Sequence, residues 1–211
     1  MVLEEAPVRL IGMLDSPYVR RVAVSMKLMG LPFEHEPLSV FRHFEAFAAV
    51  NPIVKAPSLV TKEGVVLMDS TLILQHLESL AEPSRRLTPG DRAQNARCQR
   101  FVGLALAACE KAVAIVYELN LRPEEKRHEP WLERVRGQLF VAFDLIEAEI
   151  GDPAQWLIAD RLSQADVSVA VAWRFTQFVL PDLEWPAAHP KLEAFSARAE
   201  ALPEFASTPL D

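Results

Sequence analysis

The hydrophobic pattern changes character once along this chain, near residues 82–91, and that change limits the possible folds more than any other feature. Before it, apolar runs of strand length alternate with amphipathic stretches. After it, nearly every apolar residue falls on helical spacing. Val8–Met13 reads as a strand. From Pro17 on, Val19, Val22, Ala23, Met26 and Met29 follow a helical period, and Gly30 and Pro32 then stop the helix in the expected order. Phe33–Pro37 suits a second strand, and Phe44, Phe47, Ala48 and Val50 a short helix ending at Asn51-Pro52. Pro57–Thr61 and Val65–Met68 flank Lys62-Glu63-Gly64, a hairpin with its glycine in the turn. Ser70–Leu80 is a further helix, capped by Asp69 or Ser70. The order is β-α-β-α-β-β-α.

The polar stretch EPSRRLTPGD, residues 82–91, reads as a linker between a domain of residues 1–81 and one of residues 92–211. Arg92–Leu119 forms one long helix, Trp131, Val135, Leu139, Phe143 and Ile146 mark the next, and a last one covers Lys191–Ala201. Val167–Phe178 is apolar nearly all round, which places it in the middle of a helical domain. Before it, Ser163-x-x-Asp166 reads as a capping box, with Asp in the place of Glu. The fold expected is an α/β domain followed by an all-α domain.

A chain of 211 residues with a formal charge of −7 and a pI near 5.3 is a poor match for nucleic acid or anionic membrane surfaces. No apolar run has the length of a membrane span, and MVLEEAPVR lacks the apolar stretch of a signal peptide. Cys98 and Cys109 lie in one helical stretch, roughly 16 Å apart along its axis, too far for a disulfide. The expectation is a cytoplasmic protein with reduced thiols and no metal.

Four local features carry chemistry. Ser16-Pro17, in LDSPYVRR, sets a hydroxyl where strand gives way to helix. It is an N-cap, or a donor to an anionic ligand at a helix N-terminus, or both. Pro57 opens a strand and cannot donate to the ladder; in a thioredoxin-like order it is the proline expected to be cis, with the backbone of Ala56 offered to a peptide-like ligand. Asp69-Ser70 combines a carboxylate, a hydroxyl and free helix amides. That set suits the zwitterionic head of an amino acid, and it also suits a plain capping pair. Lys55 and His43 are two potential cations able to meet a second carboxylate, although a histidine such as His43 is more often a plain surface residue.

In this order and spacing, the four features resemble the cytosolic glutathione S-transferase family over essentially the whole chain. SPYVRRV resembles the SPF-x-x-RV element of serine-type members, among them the plant tau class and related bacterial proteins. NPIVKAPSLV is similar to NP-x-x-K-[VI]-P-x-L, with Ala56 for Val or Ile. MDSTLILQHLE is similar to E-S-x-x-I-x-x-Y-[LI], with Asp69 for Glu and His76 for the aromatic. LIADRLSQADVSVAVAW is similar to the G-x-x-x-S-x-A-D capping segment, with Ala159 where glycine is common.

The resemblance implies a thioredoxin-like domain that binds glutathione, an all-helical domain that contributes the electrophile site, and a homodimer. Asp69 and Ser70 would hold the γ-glutamyl end, Ala56 would pair with the cysteinyl backbone next to Pro57, and Lys55 and His43 would approach the glycyl carboxylate. Ser16 would be the catalytic residue, donating to the thiolate. Lowering a thiol pKa by about two requires roughly 2.7 kcal/mol of preferential anion stabilisation. One hydroxyl and the positive end of a helix can supply that. The electrophile, a small hydrophobic one, would lie against Met13, Leu14, Phe101 and Ala105, residues that read equally as core. The rivals are a catalytically weak interaction or regulatory protein of the same fold, and a glutathione-dependent dehalogenase or peroxidase. The SS-x-S-x-RV element of zeta-type isomerases does not occur.

Overall fold

The computed structural model describes residues 7–182 and 185–210, so the acidic start of the chain lies outside the described residues. Two compact units emerge, one of Met1–Leu87 with Pro203–Asp211 and one of Thr88–Leu202. The expected division was at residues 82–91, and the unit boundary falls inside that stretch. Its first half is not a free linker: Pro83–Arg85 forms a turn of 3₁₀ helix, Leu87 is buried, and the Leu87 amide donates to Glu78 Oε1 at 2.9 Å. The expected second domain also loses its last residues, because Pro203–Asp211 belongs to the first unit.

In the first unit, β1 (Arg9–Ile11), α1 (Pro17–Met29), β2 (Glu34–Glu36), α2 (Phe44–Val50), β3 (Ser58–Val60), β4 (Val66–Met68) and α3 (Ser70–Leu80) follow the expected order. The strands are shorter than the apolar runs that announced them. The sheet runs β2-β1-β3-β4, with β1 and β2 parallel and both other pairs antiparallel. Helix α1 is the core element. Pro17 stands in its first turn, where a missing N–H costs nothing, and Gly30 closes it at φ 70°, donating to the carbonyls of Lys27 and Met26. Val19, Val22, Val24 and Met26 are fully buried, and so, against expectation for charged side chains, are Arg20 and Arg21.

The second unit is helical: α4 (Arg92–Asn120), α5 (Glu129–Glu149), α6 (Gln164–Val179), α7 (Trp185–Ala188) and α8 (Pro190–Glu200). Helix α4 packs on α5 and α6, and α6 on α8. As the pattern required, α6 is the buried one; Trp173 on it is fully buried and meets the Phe143 ring edge-on at 5.0 Å. Val135, Leu139, Phe143 and Ile146 form the inner stripe of α5 as expected, but Trp131 is 45% exposed and Leu132 takes its place in the core. A final short helix, α9 (Pro203–Ala206), packs back on α1.

Candidate active site

The register of the sheet decides which loops meet. Ile11, the last residue of β1, pairs with Ser58, the first of β3, and Ser58 pairs with Met68, the last of β4. Three segments therefore leave the sheet at one end: the β1–α1 turn with Ser16, the Asn51–Pro57 loop and the β4–α3 junction with Asp69-Ser70. These are three of the four features singled out in the sequence. The close approach of two of them explains Gly12. A Cβ there would lie 2.6 Å from Val19 Cγ2 and 3.2 Å from Ala56 Cβ, and φ is 138°. Only glycine allows β1, α1 and the proline loop to converge.

Ser16 caps α1 in extended conformation, half-buried, its Oγ accepting from the Val19 amide at 3.4 Å. That bond is long. A hydroxyl that accepts one weak bond still has its proton to give.

The Ala56–Pro57 bond is cis. The loop before it is built around Asn51, a residue with no assigned role in the sequence reading. Asn51 is 3% exposed; its Oδ1 accepts from the Ile53 amide at 3.1 Å, and its Nδ2 donates to Ser58 Oγ at 2.8 Å. Ser58 Oγ in turn donates to the Lys55 carbonyl at 2.9 Å. An Asn followed by proline, with a Ser seven residues on, was the available signal. Within this loop Val54 has φ 53°, a left-handed value that a β-branched side chain rarely adopts.

Asp69, not Ser70, is the N-cap of α3. Its Oδ1 accepts from the amides of Thr71 at 2.9 Å and Leu72 at 3.4 Å, and its φ is 71°. Ser70 is buried, and its Oγ accepts from Arg21 Nη1 at 3.1 Å; the same nitrogen lies 3.3 Å from Thr71 Oγ1. With an acceptor lone pair taken by the guanidinium, the Ser70 hydroxyl proton is left to face an anion. The buried charge of Arg21 adds to the positive end of α3.

The His43 and Lys55 side chains stand differently. His43 starts α2 in an exposed position, and its Nδ1 accepts from the Ser39 amide at 3.1 Å, which leaves Nε2 for a ligand. Lys55 is exposed on the proline loop. Leu14, Phe101 and Ala105 are buried, as in the core reading, and Met13 is half-buried. Among the described residues, no group of His, Cys, Asp and Glu has the arrangement of a metal site, and no helix is long and apolar enough to cross a membrane.

A hydroxyl at one helix start, a cis-proline loop and a capped second helix start thus lie at one end of the sheet. Family models for the glutathione S-transferase N-terminal and C-terminal domains match residues 10–85 and 129–198. A glutathione S-transferase of Methylobacterium radiotolerans, solved in complex with glutathione sulfonate, superposes with a TM-score of 0.89 at 31% identity, over 96% of this chain and 94% of that one. The chain belongs to the glutathione S-transferase family. A glutathione transferase family member of Pseudomonas fluorescens Pf-5, solved with bound glutathione, superposes on this chain with a TM-score of 0.85 at 32% identity, over 97% of this chain and 99% of that one. The zeta-class glutathione S-transferase of Euphorbia esula is 28% identical over 196 residues, 88% of this chain and 82% of that one.

Proposed function

We propose that the protein is a transferase that conjugates glutathione to a small hydrophobic electrophile, with Ser16 stabilising the thiolate. The observation that carries this reading is the meeting of the Ser16, Ala56-Pro57 and Asp69-Ser70 segments at one end of the sheet. The solved relatives that hold glutathione or its sulfonate support it.

The peptide is held at three points. The Ser70 hydroxyl and the α3 amides meet the γ-glutamyl carboxylate, and Asp69 meets the ammonium. The Ala56 backbone pairs with the cysteinyl residue. Lys55 and His43 Nε2 meet the glycyl carboxylate. The sulfur is then presented to Ser16 at the start of α1. The Ser16 hydroxyl donates to sulfur, so the thiol proton leaves to solvent and the anion persists near neutral pH. With an aryl halide, the sulfur–carbon bond forms, the carbon–halogen bond breaks, and halide departs. A serine here does not form a mixed disulfide, which separates this chemistry from thiol–disulfide exchange.

The protein acts as a cytoplasmic homodimer. Val66 and Met68 on edge strand β4 and Leu72 on α3 are exposed apolar side chains of a kind that a second copy covers. Retention on immobilised glutathione, followed by turnover of a generic aryl halide, tests the reading. Retention without turnover would favour the interaction or regulatory protein instead. The zeta-class relative favours one second reading, the same thiolate adding to an activated alkene and leaving again to isomerise it. Turnover of an activated cis-alkene, with the aryl halide inert, would select that reading.

A further inference from the structure

Ser16 is poorly fixed by its own cap, since the 3.4 Å bond to the Val19 amide is at the edge of hydrogen bonding. Something else must hold it if it is to aim a proton at a sulfur. One turn along α1, the Arg20 amide donates to the Ser16 carbonyl at 2.9 Å. The Arg20 side chain is 1% exposed, and it reaches residues almost two hundred positions away. Its Nε donates to the Thr208 carbonyl at 2.7 Å, its Nη2 donates to the Phe205 carbonyl at 3.3 Å, and its guanidinium lies 5.8 Å from the centre of the Phe205 ring.

The acceptors are themselves held in place. Phe205 is fully buried and Thr208 is 2% exposed, and Thr208 Oγ1 lies 3.1 Å from the Glu204 carbonyl and 3.0 Å from that of Phe205. The Thr208 carbonyl lies just past α9, and the Phe205 carbonyl, in its last turn, also accepts from the Thr208 amide at 3.0 Å, so Arg20 engages a turn already closed on itself. A planar guanidinium engaged at two nitrogens fixes direction as well as distance. The first turn of α1 cannot rotate or slide without breaking both bonds and stranding a buried cation.

We propose that Arg20 and the C-terminal Pro203–Leu210 segment form a clasp on α1 that positions the Ser16 hydroxyl for the thiolate. Arg20 touches no reacting atom in this proposal; it is a positioning residue, and the proposal rests on the glutathione reading above. The test uses the full chain with Arg20→Met, Arg20→Lys and Thr208→Val, measured by glutathione affinity, kcat and the pH–rate profile. Thr208→Val loosens the accepting turn without altering α1.

Arg20→Met should lower kcat at neutral pH five- to tenfold, move the rising limb of the profile to higher pH and leave glutathione affinity within threefold. Arg20→Lys, which reaches one carbonyl, should fall between it and the parent, and Thr208→Val should shift the profile in the same direction by less. Asp166→Asn, a change in the helical unit, serves as the control that lowers thermal stability without moving the profile. A folded Arg20→Met protein with the parent pH profile overturns the proposal. If Arg20→Met does not fold, unchanged profiles in both Arg20→Lys and Thr208→Val overturn it. Failure of the underlying reading looks different: the parent itself would not bind glutathione, or Ser16→Ala would leave the profile where it was.

Discussion

Two helix starts in this chain use the same two residue types, aspartate and serine, under opposite conditions. At α6, Asp166 is fully buried and its carboxylate is saturated: Oδ1 accepts from the Leu157 amide at 2.8 Å, and Oδ2 accepts from the Ser163 amide and hydroxyl, each at 2.7 Å. At α3, Asp69 spends only Oδ1 on the helix, on an exposed stretch and at φ 71°. The first arrangement leaves nothing for a ligand. The second leaves a carboxylate oxygen uncommitted beside a hydroxyl backed by Arg21. Asp69 holds a left-handed backbone conformation that costs strain, and Asp166 does not.

The largest effect expected from this contrast is on stability. Asp166→Ala should cost about 3 kcal/mol, because the Leu157 and Ser163 amides lose a buried acceptor together. Chemical denaturation checks it, and a cost below about 1 kcal/mol would break the contrast from the α6 side. Asp166 also predicts a pH dependence. Burial holds its carboxyl above the ordinary aspartate range, against the lowering effect of hydrogen bonds from the Leu157, Ser163 and Asp166 amides and the Ser163 hydroxyl. A raised folded pKa means that the native state binds the proton more tightly than the unfolded chain does. This contribution is therefore fully present below the unfolded value and lost as pH rises through the folded one. Asp166→Asn should remove that share of the pH–stability curve and leave glutathione affinity unchanged.

Asp69→Asn is the mirror experiment. Asparagine keeps the capping oxygen and tolerates positive φ, but it removes the charge. Stability should stay within about 0.5 kcal/mol while glutathione binding weakens by about 1–2 kcal/mol, read by calorimetry. Unchanged affinity would mean that Asp69 is a cap like Asp166 and that the ammonium is held elsewhere.

Ser16→Ala asks the same question of the third helix start. Turnover should fall about tenfold with affinity nearly unchanged, because the donor to the thiolate is lost. The lost cap should cost at most about 1 kcal/mol of stability, and less than usual given the 3.4 Å bond. A folded Ser16→Ala protein with parent turnover would leave Ser16 as a cap and move the search for the donor to Tyr18 or a backbone amide.

Legibility followed the range of the interaction. The α3 start, the α6 capping box and the proline opening β3 are settled by residues within a few positions of one another, and the sequence announces each. Arg20 and Arg21 escaped because their meaning depends on partners at Thr208 and Ser70, far along the chain. A signal was present nonetheless: in VRRVAVSM the arginines sit in a helix with apolar residues on nearly every side, which leaves no wide solvent face for them. The C-terminal residues joined the wrong domain for the same reason, since helical spacing at Pro203–Ala206 says nothing of where that helix packs. Trp131 was misplaced by one position because Leu132 fits the same period.

The smallest effect sharpens the comparison from the loop between the two site helices. Val54 sits at φ 53° with its amide donating to the Asn51 carbonyl at 2.8 Å, and no ligand-facing role belongs to its side chain in the proposed binding scheme. A β-branched residue pays about 1–2 kcal/mol for a left-handed conformation. Glycine removes that strain but adds freedom to the unfolded chain, which offsets part of the gain. Val54→Gly should therefore raise stability by about 0.5–1 kcal/mol, visible as a higher denaturation midpoint with an unchanged slope. Asn51 still holds Ile53 and Ser58, so glutathione affinity should stay within threefold. If Val54→Gly instead lowers stability, the valine side chain makes packing contacts worth more than its strain. If it weakens glutathione binding well beyond threefold, the strain belongs with that of Asp69, as part of what aims the site.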